Sequence, residues 1–446
     1  MKLQNAKLEE HVWDVIVAGG GLAGVTAAVA AARQGADVLL LEQYGYLGGM
    51  ATTASVNPFM AYCAKYGEGE KFDWAQIANA GIFLSIIEAL KKLGGLHSNR
   101  ITFHPEVLKL VLDRLVQQAG VQVLFHCFLA EDEVSDDRIQ SVTVVSKGGV
   151  FRLKARVFVD ATGDADLAAF SGCPYTVGDE EGLCQPMTLC FDMGNVDTSV
   201  YAPVWGWYDG SYPGDSASCE KTVNEAFRRK KEMGEIDIQS EGISTYASCI
   251  PGAIHFNTTH VCGVTPMDVC ATSRAEITAR EQMWQVVELM KQSAPGFEKA
   301  CLLSSGVQIG ARESRRIVGD VVLNEQDILT CRKFEDSIAR GTYSIDIHSV
   351  RAGKEDGGMR EIPYNDYYTI PYRALLPQGV KNLIVAGRPL SSTHLAHGAH
   401  RVMPICASVG EGAGTAAALA LQAGCDFRNV QVAQIQALLR QYGALY

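Results

Sequence analysis

The chain has 446 residues, more than one ordinary hydrophobic core serves, so roughly two to three structural units are expected. Hydrophobic residues make up 47% and charged residues 20%, with 44 glycines, a balance that suits a compact α/β protein with many tight turns. The formal net charge of −11 argues against nucleic acid or an anionic membrane surface as partner, while a local basic pocket for an acidic small molecule stays compatible with it.

Residues 1–21 contain no apolar stretch ahead of the first strand that would read as a secretory signal, and no run of 18 apolar residues predicts a membrane span. Val12–Ala18 is a short apolar run ending in Gly19-Gly20-Gly21 and reads as a buried parallel strand. Leu22–Arg33 is Ala-rich and free of Pro, a helix that stops near Gly35, and residues 37–42 (DVLLLE) form a second strand. Helical spacing returns at 106–118, with Pro105 in the first turn, followed by strands within 121–128, 139–146 and 150–160 and a turn at Asp136-Asp137. From about 180 to 370 periodicity weakens. The clearest helix there spans 276–292, and Val307, Ile309, Ile317, Val318, Val321 and Val322 suggest strands. Residues 382–386 (NLIVA) are a further buried strand closed by Gly387, and 404–421 a closing Ala/Gly-rich helix with Pro404 in its first turn. The expected organisation is a discontinuous nucleotide-binding domain (1–60, 100–180, 375–446) and a substrate or cap domain (181–374), with 61–99 packing near the cap.

Gly19-x-Gly21-x-x-Gly24 fits the dinucleotide fingerprint. Its glycines serve the tight turn, close approach of backbone to a pyrophosphate, and helix–strand contact, while Leu22 and Ala23 open a helix whose N–H groups and dipole face the phosphates. Glu42 stands 18 residues beyond Gly24 at the end of the second strand, where a carboxylate accepts hydrogen bonds from an adenosine ribose. Glu42, in place of a nearby Arg, argues against NADP.

Three further segments extend the site. Gly48, Gly49, Met50, Ala51 and Thr52 would let backbone approach a cofactor beyond its pyrophosphate. Ala161, Thr162, Gly163 and Asp164 form a small-residue turn after a strand, and Gly387 and Arg388 form another. Gln43 and Phe128 complete the expected cofactor set. Together these segments resemble the glutathione-reductase-type flavoproteins, and within them the FAD-dependent oxidoreductase family near fumarate reductase and heterodisulfide reductase subunits. The blocks HFNTTHV (255–261), GARESRRIVGDVVL (310–323), SIDIHS (344–349), IPYRALLP (370–377) and STHLAHGAHRVMP (392–404) follow in that family's order. The resemblance implies an α/β Rossmann-like FAD-binding domain of the glutathione reductase type with a mixed α+β substrate or cap domain. It also implies that the closing helix aims its N-terminus, with Ile405 and Cys406, at the flavin. Positions 43–59 hold no His, so the FAD is expected to be noncovalent.

The flavin does the redox step, and the protein must supply an acid or base for the substrate proton. His397 and His394, just before the closing helix, are the expected catalytic residues, with Arg401 to clamp a carboxylate or stabilise flavin charge. His255, Asn257 and His348 are expected to reach the substrate from the cap, while Arg312, Glu313, Arg315 and Arg316 read as a structural ion-pair cluster. His394-x-x-His397 lacks a third ligand, so no metal is expected. The 13 Cys form no CxxC pair and read as reduced thiols, which points to the cytoplasm. The expected function is hydride exchange between flavin N5 and a small polar organic substrate (a sugar, a polyol, or a hydroxy or unsaturated acid). An unidentified electron donor or acceptor completes the cycle, and homo-oligomerisation stays open. Two alternatives remain: a flavoenzyme with non-redox elimination or hydration chemistry, and an FAD-bearing electron-relay subunit.

Overall fold

Four strand ends and two helix starts converge on a single crevice, and the architecture follows from how they are brought there. The computed structural model describes residues 8–66, 72–203, 216–240, 242–351 and 357–446, so residues 1–7, on which the reading of the N-terminus partly rests, lie outside the described residues. Strand β1 (Val12–Ala18) leads into helix α1 (Leu22–Arg33) and strand β2 (Val38–Leu41), with β1 and β2 parallel. Beyond β2 lies β3 (Gln122–Leu124), also parallel. β4 (Phe128–Ser135), β5 (Arg138–Ser146) and β6 (Gly149–Asp160) form an antiparallel meander, turning at Asp136 and Asp137 with φ of +53° and +57°.

β6 is shared between two systems. Its first half pairs with β5, and its last residues run parallel to β1 on one side and to β7 (Leu383–Val385) on the other. A sheet of order β3-β2-β1-β6-β7 therefore presents the carboxyl ends of its parallel strands along one edge, where α/β sheets bind ligands.

Helix α2 (Met403–Ala423) packs along α1. A Cβ at Gly410 or Gly414 would collide with the carbonyl oxygen of Ala23 or Ala27, so this four-residue glycine spacing sets how closely the helices approach. Thr26 Oγ1 donates across the contact to the Ala407 carbonyl at 2.7 Å. By length and composition alone α2 could cross a membrane, but 94% of its most apolar stretch is buried inside the protein.

The second unit is a four-stranded antiparallel sheet in which Phe191–Gly194 lies between Ile254–Phe256 and Cys301–Ser305, backed by the helix Val269–Ser293. Phe191 and Phe256 stack at 4.8 Å, and Phe297 meets Phe256 edge-on. Its apolar core draws on residues between 187 and 309. Residues 323–376 instead join the core of the first unit, where Ile338 packs against Gly412 of α2. The helix Ile82–Lys92 does the same with Ile82, Phe83, Ile86 and Leu90, and its Ile82 N–H donates to Glu411 of α2 at 2.8 Å. Both stretches were expected with the cap. Of the apolar residues expected in strands, Ile317 alone lies in one (Arg315–Ile317). Val307 N–H donates to Thr53 and Val318 N–H to Pro174, so these segments spend their backbone on loops.

Candidate active site

The three fingerprint glycines separate by what a side chain would meet. Gly19 has φ +98°, and a Cβ there would strike the Ala161 backbone. At Gly24 it would collide with the Gly19 carbonyl oxygen, so that position holds the helix against the strand. At Gly21 it would meet only Gly49 Cα, at 3.8 Å. The protein itself therefore does not need glycine at 21. Gly21 borders open cavity and is the N-cap of α1, with no side chain closing the helix end, which fits a pyrophosphate seated on it.

Glu42 is buried just past β2. Its carboxylate accepts the Gly20 N–H at 2.9 Å and the Tyr44 N–H at 2.8 Å. Burial raises its pKa, and these backbone bonds oppose the rise. The turn after β6 is held from within: Asp160 accepts from Thr162 N–H, Thr162 Oγ1 and Ala168 N–H. Arg388 spans the same turn, donating to Gly163 O, Ala311 O and Asp164.

These pieces line one end of a cavity of about 1550 Å³. Typical small-molecule pockets hold roughly 300–1,000 Å³, so the space suits a dinucleotide together with a substrate. Gly19, residues 21–23, Glu42, Gln43, residues 48–51, Phe128, residues 161–164, Gly387 and Arg388 all border it. Cys406 and Met403, at the start of α2, border its middle. No side chain caps α2, whose second position is Pro404.

The deep end is built from side chains. Arg401 reaches Asp346, with Nη2 3.3 Å from both its carbonyl and Oδ2, and its Nε is buried without a partner among the described residues. Tyr343 donates to Asp346 Oδ2 at 3.0 Å. Arg312 donates to Pro186 O, Thr188 Oγ1 and Asn257 Oδ1, and among the described residues no carboxylate pairs with it. Burial and the nearby Arg401 lower its pKa to about 10, so it stays charged at neutral pH. His348 keeps 34% of its side-chain surface open to the cavity, with Nε2 3.8 Å from Asp346 Oδ2. Burial, Arg312 and Arg401 hold its pKa well below the usual histidine value. His260 stands beside it, rings 5.2 Å apart, and burial with Arg312 pulls it down to about 2. Both rings are neutral at physiological pH.

Several expected site residues fall elsewhere. His397 is fully buried outside the cavity, its ring nitrogens without partners among the described residues, and burial with His400 and Arg316 keeps it neutral. His394 turns to Glu313, which Nδ1 meets at 2.8 Å. The short helix His394–His400 thus points both rings away from the cavity, and of the expected catalytic trio only Arg401 borders it. His255 pairs inside the cap with Asp192 at 3.0 Å; burial favours its neutral form, but the carboxylate outweighs this and raises the pKa to about 10. Ile405 faces the core, Gly24 is a packing glycine, and Thr52 turns inward to Leu47 O at 2.8 Å while Thr53 takes the cavity wall. Asn257 and His348 do border the cavity. Sequence reasoning missed His260, Tyr343 and Asp346, and placed Arg312 in the ion-pair cluster. Among the described residues, Arg316 pairs with Glu313 and Arg315 with Asp166, while Arg312 takes no carboxylate. A usable signal lay in SIDIHS, where Asp346 and His348 are two apart on an extended segment and share a face.

A sequence model of the family described as "FAD dependent oxidoreductase" matches residues 14–439. The chain belongs to that family. It is therefore a flavin-dependent redox enzyme with an α/β Rossmann-like FAD-binding fold. No curated protein matches it. Among solved structures, a geranylgeranyl bacteriochlorophyll reductase-like protein from Thermoplasma acidophilum is 11% identical over 97% of this chain and 84% of its own (TM-score 0.46). L-proline dehydrogenase from P. horikoshii is 10% identical over 98% and 100% (TM-score 0.44). The p-nitrophenol 4-monooxygenase of Pseudomonas putida is 12% identical over 96% and 88% (TM-score 0.43).

Proposed function

We propose that this family member is a dehydrogenase or reductase that holds FAD noncovalently and exchanges a hydride with a small polar organic substrate at the deep end of the cavity. One observation carries the reading: the same cavity that begins at the Gly21 helix end finishes among His348, Asp346 and Arg401. Bound FAD supplies the two-electron step, taking or giving a hydride at N5. Gly21 and α1 would seat its pyrophosphate, Glu42 its ribose, and the uncapped start of α2 its flavin edge.

The residues favour oxidation of a C–H that bears a hydroxyl. His348 is neutral, so its ring is free to accept the hydroxyl proton as the hydride leaves, with the Asp346 carboxylate 3.8 Å from Nε2 to oppose the Arg312 and Arg401 charges that disfavour an imidazolium. A carbonyl group remains on the substrate, and an acceptor of unidentified nature removes the electrons. The histidines on the cavity wall, His260 and His348, both stand at the deep end, which supports noncovalent attachment. All thirteen cysteines are free, which supports a reducing compartment such as the cytoplasm.

Rapid-mixing measurement of flavin bleaching under anaerobic conditions tests the assignment. The His348→Asn variant is expected to keep its FAD and slow bleaching on the order of 10²- to 10⁴-fold, the usual contribution of a positioned base. Bleaching at the wild-type rate would remove His348 from the chemistry. Acid denaturation is expected to release FAD into solution, and flavin remaining on the precipitated chain would contradict noncovalent binding.

A further inference from the structure

We propose that the deep end of the cavity is an anion subsite in which Arg312 and Arg401 bind the carboxylate of a small organic acid. The inference rests on the flavin-oxidoreductase reading above and narrows its substrate to hydroxy or unsaturated acids over sugars and polyols.

The cavity-lining arginines differ sharply. Arg388 is spent on Asp164 and two carbonyls, and Arg351 pairs with Asp179 and Glu181. Arg312 has only neutral partners: a carbonyl, a hydroxyl and an amide oxygen, which fix the plane of the guanidinium and leave its charge uncompensated. Arg401 has a carboxylate partner, but one already shared with Tyr343, and its Nε is unused. Two buried cations thus face one carboxylate, Asp346. Lys231 donates to the Ser240 carbonyl within electrostatic reach of His260, and Glu220 lines the same cavity. His260 and His348 add ring nitrogens and no charge.

A ligand entering this space strips water from Arg312. A neutral polyol returns hydrogen bonds and no charge, leaving a desolvated cation, which is the costly arrangement. A carboxylate returns the missing charge and matches the fork of a guanidinium. One negative charge offsets the excess of Arg312 and Arg401 over Asp346, so a carboxylate end fits, with the reacting carbon carried toward His348. The same charge excess could instead serve a reduced, anionic flavin. Oxidised flavin is neutral, so binding to the oxidised holoprotein separates the two sources.

The test titrates oxidised holoprotein with glycolate, its neutral isostere glycolamide, glycerol, and a series of mono- and dicarboxylates, following the flavin absorbance and the heat of binding. Saturable binding of carboxylates is expected, with glycolamide and glycerol inert over the same range. Arg312→Gln is expected to weaken carboxylate binding on the order of 100-fold with FAD content unchanged, and Arg312→Lys to restore part of it. Glycolamide binding as tightly as glycolate in the wild type, absence of binding by every carboxylate, or full carboxylate affinity in Arg312→Gln would each overturn the subsite. The wild-type acid–amide comparison decides the matter even where a variant fails to fold. Polyols that bleach the flavin of a protein indifferent to carboxylates would remove the subsite and leave the flavin reading standing. Carboxylate binding with no redox turnover of any acid would do the reverse.

Discussion

The two ends of the cavity are made of different material. The end at Gly21 is mostly backbone: glycines, small residues and a bare helix terminus at the ends of β1, β2, β6 and β7, with Glu42 and Arg388 as its main charged side chains. The deep end consists of polar and ring side chains contributed by Asn257, His260, Arg312, Tyr343, Asp346, His348 and Arg401. A backbone-built site is dictated by local rules of φ and steric room. A side-chain-built site depends on which elements the tertiary fold brings together and which way each is rotated. One predicts a binding mode shared by many chains, and the other carries whatever is particular to this one.

The sharpest way to break that contrast is at the fingerprint itself. Gly24→Val drives a side chain into the Gly19 carbonyl and is expected to cost about 3 kcal/mol or more, so that little folded protein is recovered, as gel filtration and thermal melting would register. Gly21→Ala meets only ordinary contact and is expected to leave the melting temperature of the apo-protein unchanged while weakening FAD on the order of 10- to 100-fold, since the added methyl occupies cofactor space. Equal damage from both would mean that position 21 serves the fold as well. Glu42→Ala comes next. Loss of a charged acceptor is expected to weaken FAD retention by about 1.5–3 kcal/mol, part of it through the released Gly20 and Tyr44 N–H groups. Unchanged flavin occupancy would refute its ribose role.

The smallest effect probes the scaffold away from both ends. Burial pushes the Glu411 carboxyl up from its ordinary 4.5 to about 7, against the Ile82 N–H and Arg33. Between those values the folded state holds a proton that the unfolded chain has lost. This group's contribution to stability therefore falls as pH rises from 4.5 through 7 and levels off above. Glu411→Gln keeps an acceptor for Ile82 and is expected to raise the melting temperature by roughly 1–3 °C at about pH 8 and less at about pH 5, with FAD affinity unmoved. A larger gain on the acid side would reverse the assignment.

Legibility in the sequence follows the same division. The existence and order of β1, α1, β2 and α2, the Asp136-Asp137 turn, and most of the residues that border the Gly21 end of the cavity were readable, because each rests on local periodicity or on a glycine's φ. The orientation of the histidines was not. His394 and His397 lie near the start of α2, which makes them look poised toward the flavin, but the rotation of their short helix sends one to Glu313 and the other into the core. Nothing local fixes that rotation. Arg312 was hidden for a related reason. In GARESRR one glutamate stands among three arginines and Arg312 is the one beside it in sequence, and only the folded chain shows that Arg316 takes Glu313, Arg315 takes Asp166, and Arg312 is left facing the cavity. The cap's extent was overestimated because residues 323–376 alternate too weakly to show which core they join.

The most direct test of this division is a titration of FAD into the apo-proteins of Gly21→Ala and His348→Asn beside the wild type, followed by flavin fluorescence. The dissociation constant is expected to rise on the order of 10- to 100-fold for Gly21→Ala and to stay within about 3-fold of the wild type for His348→Asn. An FAD affinity lost in His348→Asn and kept in Gly21→Ala would contradict the division, and would place the flavin's holding contacts at the deep end.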